Sequence, residues 1–188
     1  KRLNPGSSEF ALRVVKTALW MEDYELVKTE LWELASLQFQ RGELESCQDR
    51  LGELLSLQPD HKAARQLMVE IFLVNGKDKL ASWHLSRMVE NWLNEGEEEH
   101  ALDALEKLAR LSPGFAVQEK LAALHQRQGN KEKALQLFRD LCSRHQEQGN
   151  WERALAAGEQ AVELAESTAG DREALVEIYQ QLGRAEES

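Results

Sequence analysis

Five histidines (His61, His84, His100, His125 and His145) and two cysteines (Cys47 and Cys142) are the residues of this chain best suited to metal binding or nucleophilic chemistry. Their spacing serves neither. Zinc sites and zinc hydrolases bring ligands together through CxxC, HxxH or HExxH pairs, and no such pair occurs. His125 and His145 fall at interior-facing positions of consecutive helical patterns, which reads as packing rather than ligation. No GxSxG, P-loop or GxGxxG is present. Glu97-Glu98-Glu99 opens a helical pattern, where carboxylates complement the positive end of the helix dipole without any reaction. The residues point to no enzyme, no cofactor and no metal.

Composition narrows the partner. Of 188 residues, 42% are apolar and 30% charged, with a net charge of −10. A nucleic-acid ligand calls for a basic surface, so nucleic acid is excluded as the main partner. An acidic surface is compatible with a basic protein, or simply with solvation. No apolar run approaches the roughly 20 residues of a membrane span, so no direct membrane insertion is expected. The chain opens on Lys1 rather than Met, which suggests a fragment or a processed chain. A cytoplasmic location is favoured, with tethering by a segment ahead of Lys1-Arg2 kept open. The cysteines lie inside helical patterns and read as small buried residues.

The elements that carry these residues are set by helix breakers. Pro5, Pro59 and Pro113 stand 54 residues apart, and Gly42, Gly76, Gly96, Gly129, Gly149 and Gly183 follow at alternating intervals of 33–34 and 20. Glycine past a helix end and proline beyond it both stop a helix, so each period of 53–54 residues holds three breaks and three helices. First helices are expected over about 9–21, 62–75, 115–128 and 171–182. Second helices are expected over about 24–40, 78–94 and 131–148, and third helices over about 43–57, 97–111 and 151–166. Superposed, the columns agree: Val14, Met68, Leu121 and Leu175; Val15, Val69, Ala122 and Val176; Ala18, Phe72, His125 and Tyr179; and the small residues Cys47, Ala101 and Ala154. No single helical hairpin buries its own apolar face, so the units must stack. The expectation is all-α: an α-solenoid of about ten antiparallel helices. It forms one domain over 1–188, with units at about 5–58, 59–112 and 113–166 and a final helix. Cys47 and Cys142, five helices apart, would stand too far apart for a disulfide.

These motifs resemble tetratricopeptide repeats. Residues 115–148 carry Leu121-Ala122, Gly129, Ala134, Phe138 and Leu141 at the spacings of that family, with His125 where Tyr is usual. Residues 28–61 contribute Leu34-Ala35, Gly42, Leu51, Leu54 and Pro59, and residues 135–168 contribute Leu141, Gly149, Trp151, Ala154 and Ala161. The motifs are degenerate and overlap, so that each second helix serves two of them. The resemblance implies a protein-binding scaffold whose groove holds a peptide or an amphipathic helix. Its groove candidates here are Leu19, Trp20, Gln66, Glu70, Leu73, Val74, Trp83, Glu119, Gln126 and Arg127, with Trp32, Phe39 and Leu93 as further second-helix contributors. The competing reading of Trp32, Trp83, Trp92 and Trp151 is core packing, and for all four it is the preferred one. Membership of a bacterial secretion or envelope-assembly system, such as one for exopolysaccharide, is a further expectation. The alternative function is self-assembly through the last first-type helix, which offers Leu175, Val176 and Tyr179.

Some members of the family clamp acidic C-terminal tails with Lys and Asn on successive helices. The corresponding positions here include Leu12, Lys16, Gln66 and Glu70, which cannot form that clamp. Peptides ending in acidic residues are therefore expected to give no saturable heat of binding in titration calorimetry; micromolar binding would refute this.

Overall fold

In the computed structural model, residues 8–165 and 169–186 are described; Pro5, Lys1-Arg2 and the last two residues of the chain lie outside them. Ten helices follow one another: α1 (Ser8–Trp20), α2 (Tyr24–Gln40), α3 (Leu44–Leu57), α4 (Lys62–Val74), α5 (Asp78–Glu95), α6 (Glu98–Leu111), α7 (Phe115–Arg127), α8 (Lys131–Glu147), α9 (Trp151–Leu164) and α10 (Ala169–Glu186). Up to α9 the connections are tight turns, which force each helix to return antiparallel to the one before it. Helices pack on their neighbours in sequence, α1 on α2, α2 on α3 and α3 on α4, then α6 on α7, α7 on α8, α8 on α9 and α9 on α10. Two compact units result, Lys1–Asn91 and Trp92–Ser188, dividing in the last turns of α5.

The turns explain the period. Gly42, Gly76, Gly96, Gly129 and Gly149 all have φ between 64° and 77°, the left-handed geometry that closes a helix C-terminus. Where a third-type helix hands over to a first-type one, the cap residues Gln58 and Ser112 leave the helical region at φ −136° and −145° instead, and Pro59 and Pro113 follow them. Two expectations need correction. Gly183 does not end a helix: α10 begins at Ala169 rather than 171 and runs through Gly183 to Glu186. The residues around Gly183, Leu182 and Arg184-Ala185-Glu186, are good helix formers, and they outweigh the roughly 1 kcal/mol cost of one internal glycine.

The remaining first-to-second turn, α1–α2, uses Glu22 at φ 59° where α4–α5 and α7–α8 use glycine. Its Cβ makes this conformation costly, by about 1 kcal/mol or more. Asp23 then caps α2, its carboxylate accepting from the Leu26 amide at 3.1 Å.

In the core, the columns seen in the sequence are buried. Leu31, Leu85 and Phe138 are inside, as are Leu34, Met88 and Leu141, and the small column Cys47, Ala101 and Ala154 is wholly excluded from solvent. Both cysteines are buried, one in each unit, and burial pushes the Cys47 thiol up to about 11. In unit 2, a Cβ on Gly158 of α9 would stand 2.8 Å from Leu175 Cδ2 and 3.4 Å from Cys142 Sγ, so α10 and α8 close on α9 where it lacks a side chain. Three histidines are also core residues. His125 and His145 sit inside on α7 and α8, and His84 of α5 packs against Phe72 of α4 at 5.4 Å between ring centroids. Burial, helped by the nearby Arg65 charge, lowers His84 from 6.5 to about 4. Burial also lowers His125.

Two expectations follow. Glu22→Gly removes the strained Cβ and should stabilise the fold by about 0.5–1 kcal/mol, read from the urea midpoint; an unchanged or lower midpoint contradicts the strain. His84 stays neutral in the folded chain down to about pH 4, whereas the unfolded chain takes up the proton near 6.5. Stability therefore holds above pH 6.5 and falls as the pH drops toward 4, by up to about 3 kcal/mol from this residue. His84→Leu should flatten that slope, and equal slopes for the two proteins would remove His84 as its source.

Candidate functional site

Unit 1 carries most of the large apolar side chains that stay in solvent. α1 and its turn present Leu19, Trp20 and Met21, with Trp20 86% exposed, and α2 adds Tyr24 and Leu26. α4 shows a single outward stripe, Gln66, Glu70, Leu73 and Val74, at the i, i+4, i+7, i+8 spacing of one helix face. α5 adds Leu80 and Trp83 across the turn. The sequence reading of Trp83 as core is thus corrected: it is 55% exposed, because the inward positions of α5 are taken by Ala81, His84, Leu85 and Met88. Trp32, Trp92 and Trp151 are half-buried; Trp32 packs on His61 at 5.1 Å, and Trp92 stacks on His100 at 5.7 Å.

Trp83 is exposed but not loose. The Arg65 guanidinium of α4 lies 5.7 Å from its ring centroid, within cation–π range. The His84 ring meets it edge-on at 4.8 Å. Arg65 is itself almost wholly buried and is held by the Pro59 carbonyl, which accepts from Nε at 2.8 Å and from Nη2 at 2.5 Å. The proline turn before α4 therefore anchors a cation that in turn supports the tryptophan. Sequence reasoning missed Arg65; its place among the apolar residues Ala64, Met68 and Val69 is the signal that could have marked it.

Seven of the ten expected groove residues lie in unit 1 and three in unit 2. α1 and α4 are separated by two antiparallel helices and run in opposite directions, so Leu19 and Trp20 emerge at one edge of unit 1 and Leu73 and Val74 at the other. Gln66, Glu70, Leu73, Val74 and Trp83 share the α4–α5 region. Glu119, Gln126 and Arg127 belong to unit 2.

In unit 2 a cleft of about 360 Å³ opens between α7 and α9 with α8 as its floor. Phe138, Leu141 and Ala157 supply apolar surface, and Glu119, Arg153 and Gln160 supply polar rim. Gln126 donates to Gln160 at 3.2 Å, tying α7 to α9. Arg127 turns instead to α6, where it pairs with Glu98. Behind the rim, the Glu119 carboxylate is 3.5 Å from Nε2 of buried His145, whose ring stacks on Phe115 at 4.1 Å. The Arg144 guanidinium lies 4.5 Å from the same Phe115 ring. Of the cleft's lining residues, Glu119 was a groove candidate, whereas Arg153 and Gln160 were not, because the candidates were drawn from first and second helices only. The low-bulk run Ala154-Leu155-Ala156-Ala157-Gly158 leaves the space and was the available signal. Among the described residues, no group of three or more His, Cys, Asp or Glu side chains is placed to hold a metal ion, and no helix is long and apolar enough to cross a membrane.

The tetratricopeptide repeat family model matches residues 116–147, which is the α7–α8 pair, and residues 143–173, which run from the end of α8 through α9 into α10. No curated protein matches the sequence. Among solved structures, the chain is similar to BtubC (BKLC) from P. vanneervenii at 15% identity, covering 94% of this chain and 83% of that one, with a TM-score of 0.41. Nearly identical TPR-like repeats from Podosopora anserina are 15% identical, over 85% of this chain and 96% of that one, with a TM-score of 0.44. YrrB, a TPR protein with an unusual peptide-binding site, is 13% identical, over 93% of this chain and all of that one (100%), with a TM-score of 0.37. Residues 116–147 and 143–173 thus carry tetratricopeptide-like repeats, and repeats of this kind typically belong to non-catalytic scaffolds for protein–protein interaction.

Proposed function

We propose that the chain recruits or positions another protein by receiving a peptide or amphipathic helix on the α4–α5 face of unit 1. The observation that carries this reading is Trp83, a large aromatic side chain half in solvent yet fixed by Arg65 and His84. Aromatic anchors held in place before binding lose little entropy on contact, and they dominate interface energetics. Leu73, Val74 and Leu80 supply the apolar surroundings, and Gln66 and Glu70 supply a polar continuation of the same α4 stripe. An amphipathic helix, whose apolar contacts recur at i, i+3, i+4 and i+7, suits such a stripe. A basic polar face on that helix would suit the net charge of −10. The general use of such repeats makes a bacterial secretion or envelope-assembly system the proposed setting.

A partner recovered with the chain as bait should be purified and its affinity measured directly. Leu73→Glu combined with Val74→Glu, and separately Trp83→Ala, should each weaken it at least tenfold, about 1.4 kcal/mol, with helicity unchanged. Unchanged affinity in both variants would remove the partner from this face.

A further inference from the structure

The four first-type helices differ in one respect. In α1, α4 and α7, the column pairs Val15 and Ala18, Val69 and Phe72, and Ala122 and His125 are buried. In α10 the same two columns hold Val176 and Tyr179, which are 55% and 53% exposed. In the earlier units the second-type helix that follows covers these columns. Ala122 shares a core cluster with Ala134 and Phe138 of α8, and Phe72 meets His84 of α5.

α10 is nevertheless seated as its counterparts are. Leu175 and Ile178 close on α9 at Gly158, and the Tyr179 hydroxyl donates to Glu159 of α9 at 3.0 Å. Glu159 stands one period after Glu106 of α6, whose charge acts on His125 of α7. The α9–α10 interface thus repeats the α6–α7 interface, and the open face is the continuation of an interface already formed.

We propose that the Val176–Tyr179 face of α10 is a docking site for one amphipathic helix, bound as α8 binds α7. The occupant's chemistry can be read from the three helices that fill this place elsewhere. α2, α5 and α8 bury a small residue (Val27, Ala81, Ala134), then a large one four positions on (Leu31, Leu85, Phe138). A second large residue comes at seven (Leu34, Met88, Leu141) and a compact one at eight (Ala35, Val89, Cys142). Charge adds a further requirement. Lys133, just before the small residue of α8, lies 3.9 Å from Glu106, and Glu159 offers the equivalent carboxylate beside α10. The fitting partner is a helix carrying Lys immediately before a small–large–large–small apolar register. The site uses none of the residues of the α4–α5 face.

The test uses the intact chain and a fluorescently labelled peptide of residues 131–148, the α8 sequence, under reducing conditions. Anisotropy should show saturable binding, at least tenfold weaker to Val176→Glu and a few-fold weaker to Glu159→Gln, with protein helicity unchanged in both. Because Val176→Glu could disturb α10 itself, the peptide bearing Phe138→Glu provides a control that leaves the protein intact, and it should not bind. Three results overturn the proposal. One is the absence of saturable binding. Another is binding that ignores Val176→Glu, which means that the peptide has exchanged with α8 on α7. The third is a concentration-dependent dimer of the chain that dissolves on Val176→Glu, which assigns the face to a second copy.

Discussion

Everything in this molecule rests on how closely consecutive helices can approach. Cys47, Ala101 and Ala154 share one column of the third-type helices, and all three are entirely shut off from solvent. A side chain larger than a thiol there would force neighbouring axes beyond the roughly 8–10 Å at which apolar faces interlock. That contact lets helices of only 13 to 18 residues, marginal in isolation, hold their shape through burial on both sides. Gly158 takes the same constraint to its limit: α9 gives up even a methyl group so that Leu175 and Cys142 can close around it.

Much of this was legible in the sequence, because glycine and proline report backbone geometry directly. The left-handed turns at Gly42, Gly76, Gly96, Gly129 and Gly149 needed no tertiary information. Glu22 and Gly183 show where such reading stops. At Glu22 the turn geometry survives although the residue type resists it, since the α1–α2 contact and the Asp23 cap fix the turn. At Gly183 the residue type permits a stop that no neighbouring residue enforces. One glycine is only a weak vote, which the surrounding sequence decides.

The candidate sites were less legible, for a different reason. Apolar periodicity tells how many faces a helix buries but not which of its remaining residues share a surface with those of another helix. A unit of three helices reverses direction from one copy to the next, so equivalent positions such as Trp20 and Val74 emerge at opposite edges. Trp83 was misjudged because its spacing suits burial as well as display. Its actual state depends on Arg65, which reaches from another helix and is held by a turn carbonyl. Long-range support of this kind leaves almost no local trace.

The dominance of contacts between successive helices has a mechanical corollary. Within each unit the main helix contacts join sequence neighbours, and both cysteines are free, so a force pulling on one unit would meet one helix interface at a time. Each unit resembles a stack of separable leaves more than a knot. It could lengthen by shedding single helices while the rest stayed folded, then shorten again quickly because every lost contact lies close by along the chain.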